Sequence, residues 1–220
     1  MTQPELYFIS GSPPCWSVML ALEVKGIAYE PRRLDNAKRE QKSPEYLKIS
    51  PRGQVPVLVD DGTTVSETLA VLSYLDAQYA EPPLFGQTPV ETARIWQAIC
   101  ECDANLRDTV GEISRPLFRG KGMEIAQQVT DAAEKVRAEL DLIETGLSKE
   151  AWMAGDNLSA ADLILYPVIM QLTRAAAREG EAALELGIHP LARHFPNIDG
   201  WCREMEKLPG YDNAFPPHWK

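Results

Sequence analysis

The sequence predicts an α/β domain followed by an all-helical one, and three observations carry that expectation. From Leu6 to Leu75 short apolar runs of strand length alternate with runs at helical spacing. A Pro/Gly-rich gap then runs from Ala80 to Pro89, and beyond it apolar residues recur only at helical spacing. The chain has 220 residues, 45% of them hydrophobic and 25% charged, which is enough for two cores. The expected limits are 1–81 for the first domain, 82–89 for the linker and 90–220 for the helical domain.

Leu6-Tyr7-Phe8-Ile9 reads as a strand and Val18 to Val24 as a helix, with Ser12-Pro13-Pro14-Cys15 between them. Proline at the first helical position loses no hydrogen bond, so Pro13 starts the helix and Ser12 stands at its mouth. A helix N-terminus there favours a bound anion through unpaired N–H groups and the positive end of the dipole. Ser12 is also an ordinary N-cap residue, and the two roles are compatible, because a hydroxyl both donates and accepts. The spacing is that of a redox C-x-x-C whose first cysteine is serine. Cys15, one turn in, reads as a small buried residue rather than a nucleophile.

Downstream, Pro56 heads the apolar run Val57-Leu58-Val59. Proline cannot donate to a central ladder, so it belongs at a strand's first residue, and a cis Val55-Pro56 bond would turn the backbone of Val55 outward to pair with an extended peptide. A trans proline in a loop is the alternative. Asp60-Asp61-Gly62 signals a hairpin into Thr63-Thr64-Val65. Ser66-Glu67-Thr68 then opens a helix through Leu75, with Glu67 and Thr68 in its first turn.

The helical part begins with one long helix from Val90 to about Phe118, partnered by Ile125 to Leu147. Ser159-Ala160-Ala161-Asp162 starts a buried helix containing Pro167, through the pairing of a capping serine with an acid three residues on. Pro196 to Leu208 is the last helix, followed by an aromatic tail, Tyr211 to Lys220. The tail either closes over a binding site or covers the helical domain.

In order and content these segments resemble the soluble glutathione transferases. The resemblance is carried by Ser12-Pro13 through Leu22, Gly53-Gln54-Val55-Pro56-Val57-Leu58, Glu67-Thr68 through Leu75, and Gly155-Asp156-Asn157-Leu158-Ser159-Ala160-Ala161-Asp162. It spans the whole chain and leaves the subclass unassigned. It implies a thioredoxin-like first domain with a mixed four-stranded sheet and an all-α helical-bundle second domain. It implies that the Ser12 hydroxyl donates to the glutathione sulfur and that Val55, before a cis Pro56, pairs its backbone with the cysteinyl unit. Glu67 and Thr68 would hold the γ-glutamyl end, with Gln54 beside it. Lys42 and Arg52 are candidates for the glycyl carboxylate by charge and approximate position. A homodimer is the family's usual state, and Asp103 would then reach across to the neighbour's γ-glutamyl ammonium, the alternative being a solvated helix-face carboxylate.

The chemistry follows from ionisation. A thiol near the reference value of about 8.5 is only a few per cent thiolate at neutral pH, and stabilising that charge activates it. The expected function is therefore addition of glutathione to a small, hydrophobic electrophile. An alternative is a glutathione-dependent thiol–disulfide oxidoreductase, isomerase or peroxidase, and a second is a non-catalytic binding or interaction protein. A net charge of −10 disfavours nucleic acid or an anionic membrane as partner. Four cysteines and three histidines show neither a disulfide framework nor metal-ligand spacing, so no metal is expected. No apolar run has the length of a membrane span, and a cytoplasmic location is expected.

Overall fold

The computed structural model describes residues 3–178 and 184–219. Lys220, the end of the expected tail, lies outside them. The chain divides into two compact units, 1–85 together with 206–220, and 86–205.

The first unit is built on strands β1 (Glu5–Phe8), β2 (Glu30–Arg33), β3 (Val57–Asp60) and β4 (Thr63–Ser66), in the order β2-β1-β3-β4. β1 runs parallel to β2 and antiparallel to β3, and β3 antiparallel to β4, so the sheet is mixed as expected. The β3–β4 turn is Asp61-Gly62, both at positive φ (45° and 79°), the pair whose twist suits a two-residue hairpin. β2 is exposed throughout and contains Pro31, which only an edge strand tolerates.

Helices α1 (Pro13–Val24), α2 (Pro44–Leu47) and α3 (Thr68–Gln78) complete the αβ frame. α1 buries Cys15, Trp16, Val18, Leu20 and Leu22, and α3 buries Val71, Leu72 and Leu75. The buried Lys25 side chain ties their ends together. Its ammonium donates to Asp76 Oδ1 (3.0 Å) and to the carbonyls of Tyr79 (2.6 Å) and Pro82 (2.7 Å). All three N–H groups are thereby matched, which a buried ammonium requires.

The second unit contains α4 (Pro89–Glu101), α5 (Arg107–Phe118), α6 (Ala126–Leu147), α7 (Ala160–Ala176), α8 (Leu191–His194) and α9 (Pro196–Met205). The long helix expected from Val90 to Phe118 is interrupted by one π-helical turn, Cys102–Leu106. α5 packs on α6 and α7, and α6 on α9. At the start of α7 the fully buried Asp162 accepts from the N–H (2.9 Å) and hydroxyl (3.0 Å) of Ser159, from Met153 N (2.9 Å) and from Trp201 Nε1 (2.9 Å). One carboxylate thus caps α7, closes the loop before it and anchors α9.

The final helix, α10 (Tyr211–Ala214), and the residues after it group with the first unit, away from the helical segment to which their position in sequence assigned them. The reason is aromatic packing. Trp16 is 1% exposed and faces Tyr211 (6.2 Å between ring centroids), Phe215 (5.8 Å) and Trp219 (5.2 Å), the last two edge-on.

Candidate functional site

Strand register alone brings three of the sequence motifs to one end of the sheet. Tyr7 lies opposite Val57, so the exit of β1 towards Ser12 adjoins the entry of β3 after Val55-Pro56. Val57 in turn lies opposite Ser66, so the exit of β4 towards Glu67-Thr68 adjoins the same point. The parallel pairing of Phe8 with Arg33 puts the exit of β2 there too.

Ser12 is the N-cap residue of α1, half-buried, with extended backbone (φ −78°, ψ 120°), but its side chain makes no capping hydrogen bond. The hydroxyl is a partner of the Cys15 thiol instead. Because Pro13 and Pro14 carry no N–H and Trp16 N already donates to the Ser12 carbonyl (2.9 Å), only Cys15 in this first turn keeps an N–H without an acceptor among the described residues. The helix end therefore has fewer backbone donors than usual, and the hydroxyl is the principal one. Burial pushes the Cys15 thiol up to about 11, against a smaller pull from Ser12, so at neutral pH it is a protonated, inaccessible group. That removes the dithiol chemistry the C-x-x-C spacing left open.

Val55-Pro56 is a cis bond. Neither the N–H nor the carbonyl of half-buried Val55 is hydrogen-bonded among the described residues, so a two-point backbone edge is left unpaired. The preceding loop is held rigidly. The Gln54 carbonyl accepts from Tyr46 Oη (2.7 Å) and Ser50 Oγ (3.1 Å), and Gly53 N donates to the Ser50 carbonyl (2.7 Å). Gly53 (φ +58°) leaves room for the chain of Lys42, whose ammonium donates to the Arg52 carbonyl at 2.7 Å. Lys42 and Arg52 are thus adjacent, with Lys42 already committing one N–H. The side chain of Gln54 is exposed.

Glu67 is exposed, at a strained φ of +74°, and its carboxylate makes no cap bond, so the N-terminus of α3 at Thr68 stays open. Asp103 belongs to the second unit, in the π-helical turn, and accepts from Arg107 Nε at 2.7 Å.

Residues 6–83 match the family model for the glutathione S-transferase N-terminal domain, and residues 106–209 that for the C-terminal domain. Glutathione S-transferase D6 of Drosophila melanogaster is 29% identical over 211 residues, covering 94% of this chain and 90% of that protein. Glutathione S-transferase F10 of Arabidopsis thaliana is 33% identical over 157 residues, covering 68% and 72%. The crystal structure of a glutathione S-transferase from the Antarctic clam Laternula elliptica aligns with a TM-score of 0.85 at 30% identity, covering 99% of this chain and 94% of that one. The chain belongs to the glutathione S-transferase family. The thioredoxin-like first unit and helical second unit expected from the sequence are those of this family.

Trp16 packs inward, and the tail packs against α1. Sequence reasoning offered a tail closing over the site as one of two alternatives but did not place its rings at the β1–α1 turn, because no local pattern signals a partner so distant in the chain. Among the described residues no group of His, Cys, Asp and Glu is arranged to hold a metal ion, and no helix is long and apolar enough to cross a membrane.

Proposed function

We propose that this chain is a glutathione transferase that binds glutathione as a thiolate at Ser12 and adds its sulfur to a small, hydrophobic electrophile. One observation carries the reading: the β1, β3 and β4 termini converge, so a hydroxyl at a helix mouth, an unpaired backbone edge and an open helix N-terminus lie at one end of one sheet. A tripeptide thiol with a carboxylate at each end needs those three features. Val55 pairs with the cysteinyl backbone, with Pro56 setting its turn. Glu67 takes the γ-glutamyl ammonium, and Thr68 with the N-terminus of α3 takes the α-carboxylate. Gln54 borders that end, while Lys42 and Arg52 face the glycyl carboxylate. Ser12 acts as a hydrogen-bond donor; glutathione is the nucleophile.

In this reading a thioredoxin-like domain of residues 1–81 and a helical domain from residue 90 serve the two substrates, and the protein works in the cytoplasm as a homodimer. Asp103 offers its second carboxylate oxygen to the neighbour's γ-glutamyl ammonium. Calorimetry with glutathione, followed by a conjugation assay on a panel of electrophiles, tests the central claim. Absence of heat at millimolar glutathione would remove it. Light scattering tests the dimer, and an unchanged glutathione affinity in Asp103→Asn would remove the cross-subunit role.

A further inference from the structure

The chain turns from β1 into α1 within a few residues. Gly11 takes φ +81°, and Ser12 N donates to the Ile9 carbonyl at 3.2 Å. Cys15, the third residue of α1, meets this turn from the inside. Its side chain is 1% exposed, and its sulfur has two hydrogen-bond partners there, the Ile9 backbone N–H and the Ser12 hydroxyl. The phenol of Tyr46 is close enough to feel the charge state of that sulfur, and it donates at 2.7 Å to the Gln54 carbonyl, next to Val55. One buried sulfur thus adjoins both the hydroxyl and the support of the Val55 loop.

A serine at a helix N-cap ordinarily accepts from a first-turn N–H, and Ser12 does not. What the sulfur does for it follows from counting hydrogens. The Ile9 N–H is directed at a lone pair of the sulfur, so the S–H is left to reach Ser12 Oγ. Burial pushes the thiol up to about 11, and the sulfur keeps that hydrogen at neutral pH. A hydroxyl that accepts from the protein side has its own hydrogen left for a partner outside.

We propose that Cys15 is a positioning residue: its S–H donates to Ser12 Oγ and so aims the Ser12 hydroxyl hydrogen outward, at the glutathione sulfur. The inference rests on the reading of Ser12 as thiolate donor. Three bonds then run in one direction, from Ile9 N–H to Cys15 Sγ, from Cys15 S–H to Ser12 Oγ, and from Ser12 O–H to the thiolate. Each bond polarises the next, and the hydroxyl holds one orientation in place of several. Glutathione touches only the last member of the series, so Cys15 acts on the reactivity of the bound sulfur rather than on affinity.

The test is a double-mutant cycle in the full-length protein, read by ultraviolet titration of the bound thiolate, by kcat and by the calorimetric Kd for glutathione. Cys15→Ala removes the donor, whereas Cys15→Ser, of nearly the same volume as alanine, keeps one. Cys15→Val fills the space without a donor and takes the place of the alanine variant should urea titration show that one unfolded. In Cys15→Ala the pKa of bound glutathione should rise by about 0.5 to 1 unit, with kcat falling about 3- to 10-fold at a pH below it, as befits one hydrogen bond losing its polarisation and alignment. At that pH the Kd should stay within about twofold, because a loss confined to the bound thiolate leaves ground-state binding alone. Cys15→Ser should return both quantities to within about twofold of wild type, since a hydroxyl is also a donor. In the Ser12→Ala background Cys15→Ala should change neither, because no hydroxyl is left to aim. A serine variant as impaired as the alanine one, or equal losses in both backgrounds, would mean that Cys15 only fills space, and would overturn the proposal. An unchanged titration in Cys15→Ala also overturns it and leaves the Ser12 reading standing. A titration that Ser12→Ala itself leaves unchanged defeats both.

Discussion

Ser12→Ala separates the two roles that a serine at a helix mouth can play. Replacing an N-cap serine by alanine ordinarily costs about 0.5–2 kcal/mol of stability, because a side-chain bond to the first turn is lost. Here no such bond exists, so the unfolding free energy from urea titration should change by less than about 0.5 kcal/mol. The functional loss is set by a different bond. A hydrogen bond to a charged group contributes about 1.5–3 kcal/mol, and with two prolines in the first turn few other donors can replace it. That range corresponds to a rise of about one to two units in the pKa of bound glutathione, at about 1.4 kcal/mol per unit. It also corresponds to a fall of about 10- to 150-fold in turnover at a pH below that pKa. Ultraviolet absorbance of the thiolate, titrated with glutathione bound, reads the first quantity, and steady-state conjugation the second. A variant that loses 1 kcal/mol or more of stability, on the scale of an ordinary cap, while its thiolate titration stays put would show that Ser12 is a cap and that another donor holds the sulfur.

Other consequences follow from the packing. Alkylation under native conditions should label the exposed Cys100 and spare Cys15, which is buried with its thiol near 11; rapid loss of the Cys15 peptide on mass mapping would contradict that burial. Since folding raises the Cys15 pKa, its contribution to stability is whole below the unfolded value of about 8.5 and drains away as pH climbs towards 11. Wild type should thus lose stability relative to Cys15→Ala across that window, by up to about 3 kcal/mol in urea titrations. Asp162→Ala strands the buried donors Ser159 N and Trp201 Nε1 and should cost roughly 3–5 kcal/mol, visible in the unfolding of the second unit by tryptophan fluorescence. Gly53→Ala puts a methyl 2.5 Å from the Gln41 carbonyl and 2.8 Å from Lys42 Nζ, so the loop before Val55 must shift and glutathione affinity should fall at least fivefold by calorimetry, about 1 kcal/mol.

Local chemistry made much of this legible. The Asp61-Gly62 hairpin, the start of α1 at Pro13 and the acid–serine pair opening α7 are dictated by backbone constraints that a few neighbouring residues impose, so the sequence shows them directly. β2 is harder to read: Glu-Pro-Arg-Arg has no strand pattern, and it is a strand because β1 offers it an edge. The π-helical turn at Cys102–Leu106 is equally silent, since its flanks keep helical spacing. At the candidate site the residues lying in local motifs were readable. Those supplied by the tail were not, because ring packing on Trp16 joins segments that share no periodicity.

That tail makes the first unit discontinuous in sequence, with residues 206–220 returning to complete what residues 1–85 begin. A ribosome delivers a chain in order, so the sheet, α1 and Ser12 emerge early, while the rings that cover Trp16 come only after the whole second unit. Throughout synthesis of the second unit an indole and its apolar surroundings stay uncovered, the kind of surface that invites association between nascent chains. Loss of residues 211–220 would leave the sheet and α1–α9 intact on paper and yet uncover Trp16.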